Sequence, residues 1–84
     1  MNTSLTTKHG LDDRVYTIEY NGSYFEPSMP MFVNEIRLRI TKYGTYIIYH
    51  LIDGGLTVDF HETDCYATYE ECLAECERLS KERI

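Results

Sequence analysis

The chain has 84 residues, of which fourteen are acidic and eight are basic, so its formal net charge is −6 at pH 7, and 43% of its residues are hydrophobic. A chain of this length forms one domain with a small core, and its hydrophobic content is typical of a folded protein. The negative charge disfavours direct binding to nucleic acid, because contacts with phosphates require a cationic surface. No apolar run approaches the roughly eighteen residues of a membrane span, and the N-terminal segment lacks a signal-peptide pattern. We therefore expect a cytoplasmic protein that does not enter membranes.

Residues 1–11 are polar and show no periodicity, so we predict a flexible N-terminal arm followed by a single domain over residues 12–84. The alternation of residue types over residues 15–20 predicts a strand with one set of side chains on each face. Asn21-Gly22 follows and permits the positive φ angles of a tight turn, which predicts a hairpin whose second strand lies around residues 23–26.

The next segment, residues 26–32, contains both prolines of the chain and is predicted to be a loop. This loop is an alternative contact surface for a partner, because it contains the large apolar side chains Met29, Met31 and Phe32.

Three further strands are predicted before the C-terminal part of the chain. Residues 36–41 alternate between aliphatic and polar side chains, a pattern typical of a strand with one face in water. Residues 45–52 are apolar on both faces, which predicts a central position in the sheet. Gly54-Gly55 predicts a tight turn into the third strand, whose predicted inward face consists of Leu56, Val58 and Phe60.

The last element is predicted to be an amphipathic helix. Thr68 and Glu71 have the spacing of a capping box, in which the hydroxyl accepts from a helix amide and the carboxylate bonds the amide of the cap residue. Apolar residues at helical spacing follow, including Leu73, Cys76 and Leu79. The elements together predict the α+β class, namely an antiparallel β-meander of about four strands with one C-terminal α-helix packed on one face.

Histidine and cysteine residues near the last strand and the helix are candidates for chemistry. His61, Cys65, Cys72 and Cys76 are of the types that bind zinc, but their spacing lacks a zinc knuckle, and Cys72 and Cys76 lie at the face that the helix buries. We predict no metal and no cofactor, with these residues as weak zinc candidates. A catalytic Cys65 would need His50 or His61 as a base, and the nearby carboxylates disfavour its thiolate. We predict that the chain is not an enzyme.

Basic residues form a smaller candidate surface. Arg37, Arg39 and Lys42 precede Tyr43, a combination that would suit an RNA-binding platform with a stacking aromatic ring. The overall negative charge favours the other interpretation, in which they form a solvated strand face that pairs with Glu19 or Asp59 across strands.

The acidic residues are concentrated in one part of the chain. Residues 43–77 contain no lysine or arginine but include eight carboxylates. Carboxylates on a rigid surface can bind the lysines and arginines that normally hold phosphates, and tyrosine is enriched in protein interfaces. The predicted surface for binding a partner consists of Asp59, Glu62, Asp64, Tyr66, Tyr69, Glu70 and Glu71.

In size, charge and predicted form, residues 14–82 resemble the small phage-encoded inhibitor proteins, above all the anti-CRISPR proteins. Many of those are acidic single domains with an antiparallel sheet and one or two helices. The segment LTVDFHETDCYATYEECLAECERL, a strand leading into a T-x-E-E helix start, is similar to the ends of several of them. The resemblance implies a stoichiometric inhibitor in the host cell cytoplasm that blocks a CRISPR-Cas effector or another basic nucleic-acid-binding protein. It assigns no role to any individual residue.

Two other functions are compatible with the sequence. The chain could be a small zinc-binding accessory protein of a phage or bacterium, which would use the histidine and cysteine candidates. It could also be a self-assembling module that forms a homodimer through an exposed strand edge.

Overall fold

The computed structural model describes residues 6–82. Residues 1–5 of the predicted arm and residues 83–84 of the predicted domain lie outside the described residues. The described elements are β1 Arg14–Val15, β2 Ile18–Tyr20, β3 Phe25–Pro27, β4 Met31–Thr41, β5 Gly44–Asp53, β6 Leu56–His61, a short 3₁₀ helix Glu62–Asp64 and α1 Tyr69–Glu82. The predicted fold class, an α+β domain with an antiparallel sheet and one C-terminal helix, is confirmed.

The larger sheet has the strand order β1-β4-β5-β6, and every pair of neighbouring strands is antiparallel. Strands β4, β5 and β6 form the predicted meander, and β5 is central between β4 and β6 as its two apolar faces predicted. The turn from β5 to β6 contains Gly54 and Gly55, whose φ angles of 53° and 98° lie in the left-handed region that favours glycine.

The strand predicted over residues 15–20 is divided between two sheets. β1 pairs with β4, whereas β2 pairs with β3 in a separate two-stranded sheet. The chain changes sheets at Thr17, whose N–H donates to Oγ of Ser28 over 3.0 Å and whose carbonyl accepts the Ser28 N–H over 2.7 Å. The predicted hairpin is present, and Asn21 holds its turn because Oδ1 accepts two loop amides over 2.9 and 3.0 Å.

The loop predicted over residues 26–32 is shorter than expected. Pro27 ends β3 and Met31 begins β4, so only residues 28–30 connect the two strands. The proline is tolerated because it closes a short strand of a two-stranded sheet, where few amides are needed for pairing. Met31 is a buried core residue, whereas Met29 and Phe32 are exposed.

The core lies on one face of the larger sheet. Val33 of β4 is directly opposite Leu51 of β5, and Ile36 is opposite Tyr49, so the pairing register aligns apolar side chains across the strands. The buried cluster consists of Val15, Met31, Val33, Tyr49, Leu51 and Cys65.

Part of this sheet face is uncovered, which corrects the predicted inward face of the third strand. Phe60 packs against the core, but Leu56 is 72% exposed and Val58 is 40% exposed. β6 is an edge strand. The residues that cover this sheet face, Val15 and Cys65, belong to the buried cluster with Tyr49 and Leu51, and Leu56 and Val58 lie outside that cluster.

Helix α1 packs chiefly against β3, which belongs to the two-stranded sheet and not to the predicted meander, and it buries Cys72 and Cys76. The Glu71 N–H donates to Oγ1 of Thr68 over 3.1 Å, which confirms the threonine half of the predicted capping box. The glutamate half is wrong, because within residues 6–82 the Glu71 carboxylate forms no hydrogen bond to the cap amide.

Residues 7–9, which belong to the predicted arm, contact the domain. The Lys8 N–H donates to Oε2 of Glu62 over 2.9 Å, and the N–H of the buried His9 donates to the Tyr49 hydroxyl over 3.0 Å. The boundary between arm and domain at residue 12 stays a prediction.

The molecule is elongated, with principal extents of 48 × 31 × 19 Å and a radius of gyration of 14.3 Å. A compact domain of this length has a radius of gyration of about 12 Å. The difference is consistent with the turn end of the β4–β5 hairpin, where Leu38, Ile40 and Tyr43 are all exposed. Among residues 6–82, no helix combines the length and the apolar character needed to cross a membrane.

Candidate functional site

The predicted partner-binding residues occupy three consecutive parts of the chain. Asp59 is in β6, Glu62 and Asp64 are in the 3₁₀ helix, and the remaining residues lie just before or within the first turn of α1. The structure shows that they differ in whether their side chains already have partners within the protein.

Asp59 takes part in a charged network on the outer face of the larger sheet. It is directly opposite His50, and a hydrogen bond of 2.6 Å joins Oδ1 of Asp59 to Nδ1 of His50. Arg37, which also pairs with Glu35, approaches Asp59 to 3.7 Å, as predicted, but within residues 6–82 the predicted pairing does not extend to Arg39 and Lys42. The bond from His50 lowers the pKa of Asp59, so this carboxylate is already stabilised as an anion by internal partners.

Glu62 has a structural role. Its Oε2 accepts the Tyr49 hydroxyl over 2.7 Å and the Lys8 N–H over 2.9 Å. Burial acts to raise the pKa of Glu62, but the bonds from Lys8 and Tyr49 outweigh it, so the pKa lies below the ordinary glutamate value. Burial also raises the pKa of Tyr49 to about 12, which keeps this hydroxyl a donor to the carboxylate.

The two predicted tyrosines differ in exposure. Tyr66 is partly buried and pairs with Tyr16 through two backbone hydrogen bonds of 2.9 Å. Burial, followed by the charge of Glu75, raises its pKa. Tyr69 is 47% exposed, and its ring is edge-to-face with Tyr16 at 6.0 Å between centroids. Tyr66 therefore anchors the segment, while Tyr69 offers an aromatic surface to solvent.

Asp64, Glu70 and Glu71 are exposed carboxylates without an internal partner. Within the part of the chain that the structure describes, none of these side chains forms a hydrogen bond or an ion pair. We call Asp64, Tyr69, Glu70 and Glu71 the acidic helix start. Its two glutamates lie at the positive end of the α1 dipole, which stabilises their charge.

The second half of α1 is electrically different from its start. Arg78 bonds to Glu75 and, over 2.6 Å, to Glu82, and these carboxylates raise its pKa. The same contacts lower the pKa of Glu75. Arg78 therefore compensates two carboxylates of the second half of the helix, whereas the carboxylates of the acidic helix start have no cation partner among residues 6–82.

The candidate zinc ligands are not brought together. Among residues 6–82, no group of three or more His, Cys, Asp or Glu side chains is arranged to hold a metal ion. Cys72 and Cys76 are buried on α1, and burial raises the pKa of Cys72 to about 12. The ring of His61, in β6, contacts Tyr46 of β5 at 5.8 Å between centroids, whereas Cys72 and Cys76 lie on the helix.

The arrangement around Cys65 does not activate its thiol. The buried Sγ donates to the backbone carbonyl of His61 over 3.6 Å. His50, the other candidate base, is bound to Asp59. Burial, with smaller contributions from Asp64 and Glu62, raises the pKa of Cys65 to about 12.

A second surface was only partly identified from the sequence. The sequence groups Arg37, Arg39 and Lys42 with Tyr43. In the structure Arg37 does not line the groove, whereas Arg39, Lys42 and Tyr43 do, and the fold adds Tyr46 and His61. The strand register could have indicated Tyr46, since it lies directly opposite Arg39. The contribution of His61 depends on how β6 pairs with β5.

Comparisons with protein-family models, with curated proteins and with solved structures found no match to this chain.

Proposed function

We propose that this chain is a non-enzymatic inhibitor that acts in the cytoplasm and blocks a basic nucleic-acid-processing protein, such as a CRISPR-Cas effector, through the acidic helix start. The observation that supports the proposal most strongly is the set of exposed carboxylates of Asp64, Glu70 and Glu71 that have no internal cation or donor among the described residues.

The chemistry of these carboxylates suits a partner that normally binds phosphates. Arginine and lysine side chains form short charge-assisted bonds with carboxylates, as they do with phosphate oxygens. The net charge of −6 would also attract a basic partner over distance and increase the association rate at low salt.

The site is held in place by a helix cap and by a long-range backbone pairing. The Thr68 hydroxyl caps α1 at Glu71, and the backbone pairing of Tyr66 with Tyr16 fixes the preceding segment. Tyr69 contributes a half-exposed ring with few rotatable bonds, which lowers the entropic cost of binding. The function needs no reaction step, which agrees with the unactivated thiol of Cys65.

The proposal is tested with purified RNA-guided effectors whose target cleavage is measured against increasing amounts of this protein. We expect stoichiometric inhibition that weakens as salt is raised and that competes with the guide or target nucleic acid. The double variant Glu70→Lys and Glu71→Lys should abolish inhibition. A control of equal charge change, Glu19→Lys with Asp53→Lys, alters exposed carboxylates away from the acidic helix start and should retain inhibition.

A folding control separates loss of the surface from loss of the helix. Lysine near a helix N-terminus opposes the dipole and costs about 0.3–1 kcal/mol per residue. The neutral variant Glu70→Gln with Glu71→Gln avoids most of that cost, and circular dichroism measures helix content. Equal inhibition by the wild type and the lysine variant with α1 intact would contradict the proposal.

A second candidate function, self-assembly, is favoured by the uncovered part of the core-side sheet face. Leu38, Ile40, Leu56 and Val58 are all exposed there. The outer edge of β4 pairs with β1 at Met31 and Phe32 and bonds to Asp12 and Asp13 at Val33. Beyond Val33, no strand within the described residues pairs with this edge. A second copy of the chain could cover both features in a symmetric dimer.

A further inference from the structure

The turn end of the β4–β5 hairpin carries an open groove on the face of the sheet opposite the core. Its volume is about 630 Å³, which is within the range of small-molecule sites. The lining side chains are Arg39, Thr41, Lys42, Tyr43, Tyr46 and His61. Among residues 6–82 no carboxylate lines this groove, although acidic residues outnumber basic ones in the chain.

The cations of the groove differ from their neighbour on the same strand. Arg37 is paired with Glu35 and lies 3.7 Å from Asp59. Arg39, two residues further along the same face, forms no ion pair with any residue in the described range 6–82, and neither does Lys42. The donors of these two side chains are therefore available to an external anion.

Aromatic rings lie next to these cations. Tyr46 is directly opposite Arg39 and is 38% exposed. Its ring is nearly perpendicular to that of His61, at an interplanar angle of 86°, so the two rings do not stack flat on each other. Tyr43 is 81% exposed, and Nζ of Lys42 lies 5.1 Å from the centroid of its ring.

We propose that this groove binds a nucleotide, with the phosphate held by Arg39 and Lys42 and the base stacked on Tyr46 or Tyr43. Arginine binds phosphate through paired N–H donors, and tyrosine stacks on every base because each base has a flat π surface. The inference goes beyond the proposed inhibitory function and does not depend on it, since the acidic helix start contributes nothing to this groove.

A single nucleotide fits the charge of the molecule better than a long strand does. One phosphate requires one or two cations, whereas a strand requires a cationic track that a chain of net charge −6 does not offer. A free nucleotide and one nucleotide of a single strand both present a phosphate next to a base. Both are therefore included in the binding measurements.

Binding is measured by isothermal titration calorimetry. The probes are nucleoside 5′-monophosphates, the corresponding nucleosides, inorganic phosphate and a short single-stranded oligonucleotide. We expect saturable binding of a monophosphate that is stronger than binding of its nucleoside or of phosphate. Arg39→Gln should weaken it about tenfold or more, because charged hydrogen bonds are lost. The matched control Arg37→Gln removes the same charge from a side chain that is already paired and should change the affinity less than about threefold.

The aromatic part is tested separately. Tyr46→Leu should weaken binding of the monophosphate while leaving any weak binding of inorganic phosphate unchanged. If the oligonucleotide binds and the monophosphate does not, and Arg39→Gln weakens the binding of the oligonucleotide about tenfold or more, the result would support the site and identify a nucleotide of a single strand as its ligand. The proposal is overturned if none of these compounds binds, if nucleoside and nucleotide bind equally, or if Arg37→Gln and Arg39→Gln have equal effects.

Discussion

At the scale of single residues, Tyr49 connects three parts of the chain. Its side chain is fully buried, its hydroxyl accepts the His9 N–H over 3.0 Å, and it donates to Glu62 over 2.7 Å. A tyrosine in an apolar strand is expected to contribute mainly packing, but here the hydroxyl also joins the N-terminal segment to the 3₁₀ helix. This contact makes Glu62 a structural residue.

Replacing Tyr49 by Phe should lower the free energy of unfolding by about 1–3 kcal/mol, because the buried His9 N–H and the Glu62 carboxylate lose their partner. Urea unfolding followed by circular dichroism measures the change. Tyr24→Phe is the control, since Tyr24 is 55% exposed, and it should change stability by less than about 0.5 kcal/mol. Equal effects of the two substitutions would show that the Tyr49 hydroxyl is not important for stability.

Glu62 should make stability depend on pH in a defined direction. Its pKa in the folded protein lies below the ordinary value of 4.5, so its charged form is favoured by folding. The stabilisation is complete above the pKa of the unfolded chain and is lost as pH falls through the lower pKa of the folded state. The difference in unfolding free energy between the wild type and Glu62→Gln should therefore shrink with acidification below about pH 4.5. A difference that grows on acidification would contradict this assignment.

At the scale of elements, α1 depends on its cap and on a narrow buried contact. Cys72 and Cys76 are its buried residues, and it packs chiefly against the short strand β3. The hydrogen bond from the Glu71 N–H to Thr68 satisfies one of the first amides of the helix, which have no partner within the helix itself. The orientation of the acidic helix start follows from this cap.

Thr68→Ala should destabilise the protein by about 0.5–2 kcal/mol, the usual cost of removing a threonine cap. Thr63→Ala, an exposed change in the preceding 3₁₀ helix, is the matched control and should have little effect. Thermal unfolding and the amide exchange rate at Glu71 give two independent measurements. Unchanged exchange at Glu71 in the Thr68 variant would mean that the hydroxyl does not protect this amide.

At the scale of the whole molecule, the core is smaller than the sheet that carries it. The buried cluster is centred on β4 and β5, while apolar side chains at both ends of the same face remain exposed. The radius of gyration of 14.3 Å agrees with this arrangement. Exposed apolar surface of this kind is typical of proteins that associate.

If self-assembly covers this face, the protein should form a defined dimer in light scattering as its concentration is raised. Ile40→Lys, which places a charge on a side chain that is 73% exposed, should shift the equilibrium to monomer without lowering stability. Leu11→Lys is the control, because Leu11 is 63% exposed but lies outside the sheet, and it should leave the dimer intact. A monomer at all concentrations would exclude this second function.

Several features of the fold could be predicted because their causes are local. Gly54-Gly55 permits the left-handed backbone of the turn, which few other residues adopt. Thr68 has a side-chain oxygen at the correct spacing for a helix cap. The side chains of residues 45–52 are apolar on both faces of the strand, which predicted its central position in the sheet. The break at Thr17 could not be predicted in this way, because it depends on hydrogen bonds with Ser28, which is remote in sequence.

The same distinction between local and long-range causes applies to the candidate site. The sequence by itself determined that the carboxylates are concentrated after residue 43 and that two of them begin a helix. Only the tertiary structure decided which carboxylates are unpaired: long-range contacts bring His50 to Asp59 and Lys8 and Tyr49 to Glu62, and leave Asp64, Glu70 and Glu71 exposed. The groove around Arg39 was likewise decided by strand pairing. The physical reason is that charge and local geometry belong to the chain, whereas the partner of each side chain depends on which distant segments the fold brings within hydrogen-bonding distance.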